Sequence, residues 1–242
     1  MIEDPTLNTL YRLIRPHSAF MLERQANLSR KFLTNATFDK LCKNQVNLFA
    51  EEFERLLPEE KFAFSDEEAD SMNGFYWRYF PVNEQDCYVR GISRWSMMTA
   101  GYLNGRLHKF LIIDAISAKY YWGRVNKGVF TRLSRLRVND NTELDDLAVA
   151  IDKPDNIQFP AKLGSKVSFW VSSGSPLLDL VECAAGRLDM FAATITADLL
   201  PVVLTMMQET GGLVCDANGE LLGHSNVGTD DSDNYKASAN YR

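Results

Sequence analysis

At 242 residues the chain can form one large domain or two small ones, with an ample core. Hydrophobic residues make up 45% and charged residues 24%, with 14 Gly and 8 Pro, the profile of an ordinary globular protein. The formal net charge of −6 argues against a dedicated nucleic-acid binder.

Apolar residues at helical spacing (Leu7, Leu10, Leu13, Ile14, Phe20, Met21) predict helix over residues 5–34, interrupted at Pro16. A second helix follows the stripe Phe38, Leu41, Cys42, Val46, Phe49, Phe53, Leu56 and Leu57, and Pro58 ends it. An acidic concentration lies between Glu51 and Asp70. A short aromatic strand is predicted at Tyr76–Tyr79. Strands at Ser96–Leu103 and Leu107–Ile113 then flank Asn104-Gly105, the strongest two-residue hairpin signal. With a third strand over Lys119–Arg124, the middle of the chain reads as an antiparallel meander. Residues 123–138 carry Arg124, Lys127, Arg132, Arg135 and Arg137 and no acid. Such a run is ordinarily a solvated hairpin face, and an anionic partner is the second reading.

A polar connector over 139–146 precedes a strand at Val167–Val171. Ser175-Pro176 is a helix start, a capping hydroxyl followed by a proline where its missing N–H costs nothing. Leu177, Leu180, Val181 and Ala184 share one face of that helix, and Gly186 can stop it. Gly174-Ser175 leaves N–H groups pointing out of its N-terminus, a place suited to an anion. A further helix runs from about Asp198 to Gln208, closed by Gly211-Gly212, with a strand at Leu213–Cys215 and a turn at Asp216–Gly219. The tail from Gly223 is rich in Ser, Asn, Asp and Gly and reads as loosely ordered. Helices, antiparallel strands, then alternating strands and helices imply an α/β chain of layered α+β type.

Four cysteines (Cys42, Cys87, Cys183, Cys215) stand far apart with no C-x-x-C and no His pairing, which fits free thiols in a reducing cytosol. The N-terminus has no apolar stretch of the secretory kind, and the longest apolar run, Leu199–Met207, is short and carries Pro201. A cytoplasmic protein without a membrane span is expected.

Gly174-Ser175, Leu178, Val181 and Ala184-Ala185-Gly186-Arg187-Leu188-Asp189, followed by Glu209-Thr210-Gly211-Gly212, Asp216 and Asn218-Gly219, resemble the C-terminal half of the inositol monophosphatase family. Asn104-Gly105-Arg106, Leu111–Asp114, Tyr120–Gly123 and Lys127-Gly128-Val129-Phe130 are similar to its hairpin and glycine-rich turn, and Val89-Arg90-Gly91-Ile92 to the segment after its metal-binding motif. The likeness runs from about residue 38 to about residue 222. It implies a single αβαβα sandwich over 1–242, with an N-terminal half at 1–150, a C-terminal half at 151–222 and the tail at 223–242. It also implies a homodimer, and some bacterial members are linked to RNA-related regulation, for which Arg124–Arg137 is the one hint of an anionic or RNA-linked surface. The family pattern continues beyond this chain into a last strand and helix, so an uncovered edge of the final sheet is expected.

Members of that family hydrolyse phosphomonoesters with magnesium, held by a Gly-Glu-Glu turn, a D-P-x-D-G-T loop and a Trp-Asp at a late helix. Here Ser65-Asp66-Glu67-Glu68 stands at the glutamate turn, making Glu67 and Glu68 the catalytic candidates, beside the bland reading of a solvated acidic loop. At the loop, Phe80 replaces the first aspartate and has no lone pair for a metal, while Asn83 replaces the second and loses its charge. Glu84 and Gln85 replace the glycine and threonine, and a carboxylate there would oppose a phosphate. Leu199 falls at the late aspartate, with Asp198 one residue away as a displaced ligand or, more simply, a helix N-cap. The candidate metal set is thus Glu67, Asn83 and Asp198, with Gly174, Ser175, Glu84 and Gln85 as the candidate substrate contacts. The expectation is a pseudoenzyme that binds or regulates and needs no cofactor. The alternative is an active Mg2+-dependent phosphatase on inositol, sugar or nucleotide phosphates, with a rearranged site.

Overall fold

The computed structural model describes every residue except 1, 28–33, 133, 142, 144–145, 153–166, 217, 224–233 and 241–242, and for 234–240 it describes the backbone. The chain divides into two compact units, Met1–Arg124 with Thr131–Leu133, and Val125–Phe130 with Ser134–Arg242.

The first unit opens with helix α1 (Pro5–Ala26), whose cap Asp4 accepts the Leu7 N–H at 3.1 Å. The helix runs straight through Pro16, against the predicted interruption. Pro16 and Arg12, whose carbonyl loses its donor, both lie on the exposed side, where solvent replaces the missing bond. Helix α2 (Asn35–Leu56) buries Phe38, Gln45, Phe49, Ala50 and Phe53, while Leu56 at the edge of the predicted stripe is exposed. Gln45 is buried because its Oε1 lies 2.9 Å from Nδ1 of buried His17, itself between the Phe49 and Tyr79 rings. His17 is therefore a satisfied core histidine.

Five strands follow: β1 (Lys61–Phe62), β2 (Phe75–Phe80), β3 (Ser96–Leu103), β4 (Arg106–Asp114) and β5 (Tyr120–Arg124), in that spatial order. Only β1 and β2 are parallel; β2 to β5 form the predicted antiparallel meander. The β3–β4 turn places Asn104 at φ 51° and Gly105 at φ 75°, the two positive values a tight hairpin demands. Two short helices, α3 (Asp66–Ser71) and α4 (Gln85–Val89), sit at opposite ends of β2 in sequence. Gln25 on α1 fixes the region of α4: its Nε2 donates to the Tyr88 carbonyl at 3.2 Å and its Oε1 accepts from Trp95 Nε1 at 3.0 Å.

The second unit contains most of β6 (Gly128–Thr131), then β7 (Leu147–Ile151), β8 (Val167–Val171), α5 (Pro176–Ala184), β9 (Met190–Thr196), α6 (Leu200–Thr210), β10 (Leu213–Cys215) and β11 (Asn234–Asn240). Its sheet has the order β10-β11-β9-β7-β8, with β7 parallel to β8 and β9, and β11 antiparallel to β9 and β10. Leu147–Ile151 is thus an interior strand of the second unit's sheet. Within the tail, Asn234–Asn240 pairs as β11 between β9 and β10. Gly211, at φ 94°, closes α6 in the left-handed conformation, at the stop predicted for that helix.

Candidate functional site

The acidic turn is built as a helix cap. Ser65 Oγ accepts the Glu68 N–H at 3.3 Å, and the Glu68 carboxylate reaches back to the Phe64 N–H at 2.9 Å. This reciprocal arrangement is what a Ser-x-x-Glu sequence is suited to form at the start of a helix. Glu68 is thereby engaged with backbone, and Asp66 is ion-paired with Arg78 of β2. Glu67 is exposed, and the Ser65 hydroxyl, then its own backbone N–H, hold its carboxyl below the ordinary value.

The loop after β2 turns inward. Phe80 is half-buried, with the Arg78 guanidinium carbon 4.8 Å from its ring centroid. Asn83 donates its side-chain amide to the Ser96 carbonyl at 3.1 Å and to Ser96 Oγ at 3.2 Å, and its backbone N–H to the same carbonyl at 3.0 Å. Glu84, buried at 5% exposure, accepts the Ser96 N–H on Oε2 at 2.6 Å and the Ser96 hydroxyl at 3.0 Å. The anticipated clash of Glu84 with a phosphate is therefore not how its side chain is used: it fastens the start of β3. Gln85 Nε2 donates to Asn35 Oδ1 at 3.3 Å, which ties α4 to the start of α2.

In the second unit Gly174 adopts φ 73° ahead of α5. The hydroxyl that engages backbone here is that of Ser173 rather than Ser175. Ser173 Oγ accepts the Ser175 N–H at 3.1 Å and donates to Asp179 Oδ2 at 2.6 Å. Ser175 makes no side-chain cap, and its buried Oγ has no hydrogen-bond partner among the described residues. Asp198 is half-buried in the turn before α6, whose N-cap is Leu199. The N-cap role expected of Asp198 is therefore not observed. Its one-residue distance from the helix start is the reason.

The basic run also has internal work. Arg137 Nη1 donates to the Glu209 carbonyl at 2.9 Å, near the C-terminal end of α6 where a cation is favoured. The Arg135 guanidinium carbon lies 5.8 Å from the Phe130 ring centroid. Burial pushes the Cys42 and Cys183 thiols up to about 12 and raises that of Cys215, away from the nucleophilic thiolate. Burial, then Arg124 and Lys109, lower the pKa of His108.

Magnesium requires several hard oxygen donors at near-octahedral geometry. Among the described residues no group of three His, Cys, Asp or Glu side chains is placed to hold a metal ion. In the first unit the oxygens near the former motif are committed elsewhere: Asp66 to Arg78, Glu68 to Phe64 N–H, and Glu84 to Ser96. Position 80 supplies a ring. This donor set does not fit the ion. Arg78 and Ser96, the two residues that organise it, were missed by sequence reasoning. Alternation along β2 puts Arg78 on the face of Phe80, which was the available signal for the first.

No family model matches the chain. In sequence it is 27% identical over 179 residues to the Nus factor SuhB of Pasteurella multocida (strain Pm70), a match covering 70% of this chain and 64% of that protein. The chain therefore aligns to less than two thirds of the length of this curated relative. In structure it is similar to the IMPase of Thermotoga maritima, with TM-score 0.75 and 17% identity, covering 96% of this chain and 91% of that one. The fold is inositol-monophosphatase-like. The extragenic suppressor protein SuhB of Bartonella henselae gives a TM-score of 0.73 at 16% identity, with 98% and 94% coverage. Inositol monophosphatase II of Staphylococcus aureus MSSA476 gives 0.69 at 16%, with 97% and 89% coverage. At such identities these structures speak for the fold, and the mixed α/β architecture of this chain agrees with them. Among the described residues no helix is long and apolar enough to cross a membrane.

Proposed function

We propose that this inositol-monophosphatase-like chain is a binding or regulatory protein that keeps the phosphatase fold without magnesium-dependent hydrolysis. One observation carries the reading: the side chains at 80, 83 and 84 are turned to partners within the first unit, Phe80 to Arg78 and both Asn83 and Glu84 to Ser96. Phosphoryl transfer to water needs charge compensation on the attacking and leaving oxygens. An exposed Glu67 beside a Glu68 held in a cap supplies no such clamp. That a relative bears the name of a Nus factor, rather than of a hydrolase, supports a binding role.

The test is release of p-nitrophenol from its phosphate ester by the purified chain, with magnesium and with EDTA. The expected rate equals that of buffer in both. Turnover that needs magnesium and is abolished by EDTA sinks the proposal. It would support instead the alternative reading, an active magnesium-dependent phosphomonoesterase with a rearranged site.

A further inference from the structure

We infer that Arg78 is the resident cation of the acidic turn, a guanidinium in place of a metal ion, and that it shuts this part of the molecule to divalent cations. The inference rests on the non-hydrolytic reading above and names the contact that enforces it. Arg78 lies on β2 two residues before Phe80, so both side chains leave the same face of the strand. Across the strand pair Arg78 faces Ala100, whose small side chain leaves the guanidinium room to fold along the sheet. It does so with its side chain at only 16% exposure, pairing with Asp66 at one side and covering the Phe80 ring, at 4.8 Å, on the other. An aromatic face and a carboxylate together are a good seat for a planar cation, and a poor one for a small, strongly hydrated ion. The positive charge also repels any second cation brought to Asp66 or Glu67.

The geometry makes a specific claim about restoring a metal ligand. With the guanidinium carbon 4.8 Å from the Phe80 ring centroid, a carboxylate installed at that position falls within ion-pair reach of Arg78. The arginine then captures it, and no vacant donor results. Phe80→Asp alone should gain no manganese binding, whereas Phe80→Asp combined with Arg78→Met should.

The experiment is titration of Mn2+ alone, followed by electron paramagnetic resonance of the free ion, on the wild type, Phe80→Asp, Arg78→Met and the double variant. The double variant should bind Mn2+ at least about tenfold more tightly than Phe80→Asp, the scale of one removed opposing charge. Arg78→Lys combined with Phe80→Asp keeps the charge and should restore the block, which guards against misfolding of the methionine variants. Equal Mn2+ affinity in Phe80→Asp and the double variant overturns the inference, as does no gain in either. Neither result touches the functional reading, which falls only to magnesium-dependent turnover by the wild type.

Discussion

Removing the Glu84 carboxylate leaves the Ser96 N–H without its acceptor in a site where Ser96 is 0% exposed and Glu84 is 5% exposed. A hydrogen bond to a charged group in such a place is worth more than an ordinary one, and the orphaned donor adds its desolvation cost. Glu84→Ala should therefore lower unfolding free energy by about 2–3 kcal/mol in a urea titration, with Glu84→Gln recovering part of it. Ser96→Ala, which spares the backbone bond, should cost nearer about 1 kcal/mol. If Glu84→Ala were the milder of the two, the fastening of β3 would not be the work of Glu84. The result bears on any attempt to rebuild the phosphatase motif, because Glu84→Gly removes the same acceptor. Sequence reasoning recognised Glu84 as foreign to that motif but could not see its partner, since position 96 is twelve residues away and is brought near by the β2–β3 pairing.

Whole elements carry the same lesson about local and non-local signals. Ser175-Pro176 correctly marked the beginning of α5, yet the hydroxyl that accepts the Ser175 N–H is two residues upstream. Ser173→Ala removes both the bond to Ser175 N–H and the donor to Asp179, and should cost about 1–2 kcal/mol. Ser175→Ala removes a buried Oγ that has no hydrogen-bond partner among the described residues, and should be near neutral or slightly stabilising. Thermal denaturation of the two variants decides the order, and a more damaging Ser175→Ala would reverse the assignment. Elements written in short-range code were legible: the Asn104-Gly105 hairpin, the apolar stripes of α1 and α2, and the Gly211 stop of α6. Those that depend on distant backbone were not. Pro16 predicted a break because propensity sees the lost bond and not the burial of Leu13, Ile14 and Met21 that holds the helix together. Likewise Asn-Tyr-Lys-Ala-Ser-Ala-Asn gives no strand signal, and becomes β11 because β9 and β10 each offer it an unpaired edge.

At the scale of the molecule, that last strand is where the two units part in their dependence on the chain's end. A chain ending at Gly223 loses Asn234–Asn240, which leaves β10 without a sheet partner and one edge of β9 bare. The sheet that holds β1 to β5 contains no residue beyond Thr131, far short of the truncation. Truncation should therefore act on one unit. Amide hydrogen exchange should accelerate across Met190–Thr196 and Leu213–Cys215, while protection over Phe75–Phe80 and Ser96–Leu103 persists. Tryptophan emission offers a second reading: Trp77 and Trp95 are fully buried and Trp122 nearly so, all in the first unit, whereas Trp170 of the second is 41% exposed. The truncated chain should keep its blue-shifted emission even as it gains binding of a hydrophobic dye, since a bared strand edge and a loosened β10 uncover the apolar face of β9. Loss of protection throughout both sheets would mean that the first unit leans on the second for its stability. Unchanged exchange along β9 would mean that β11 contributes little to the sheet it occupies.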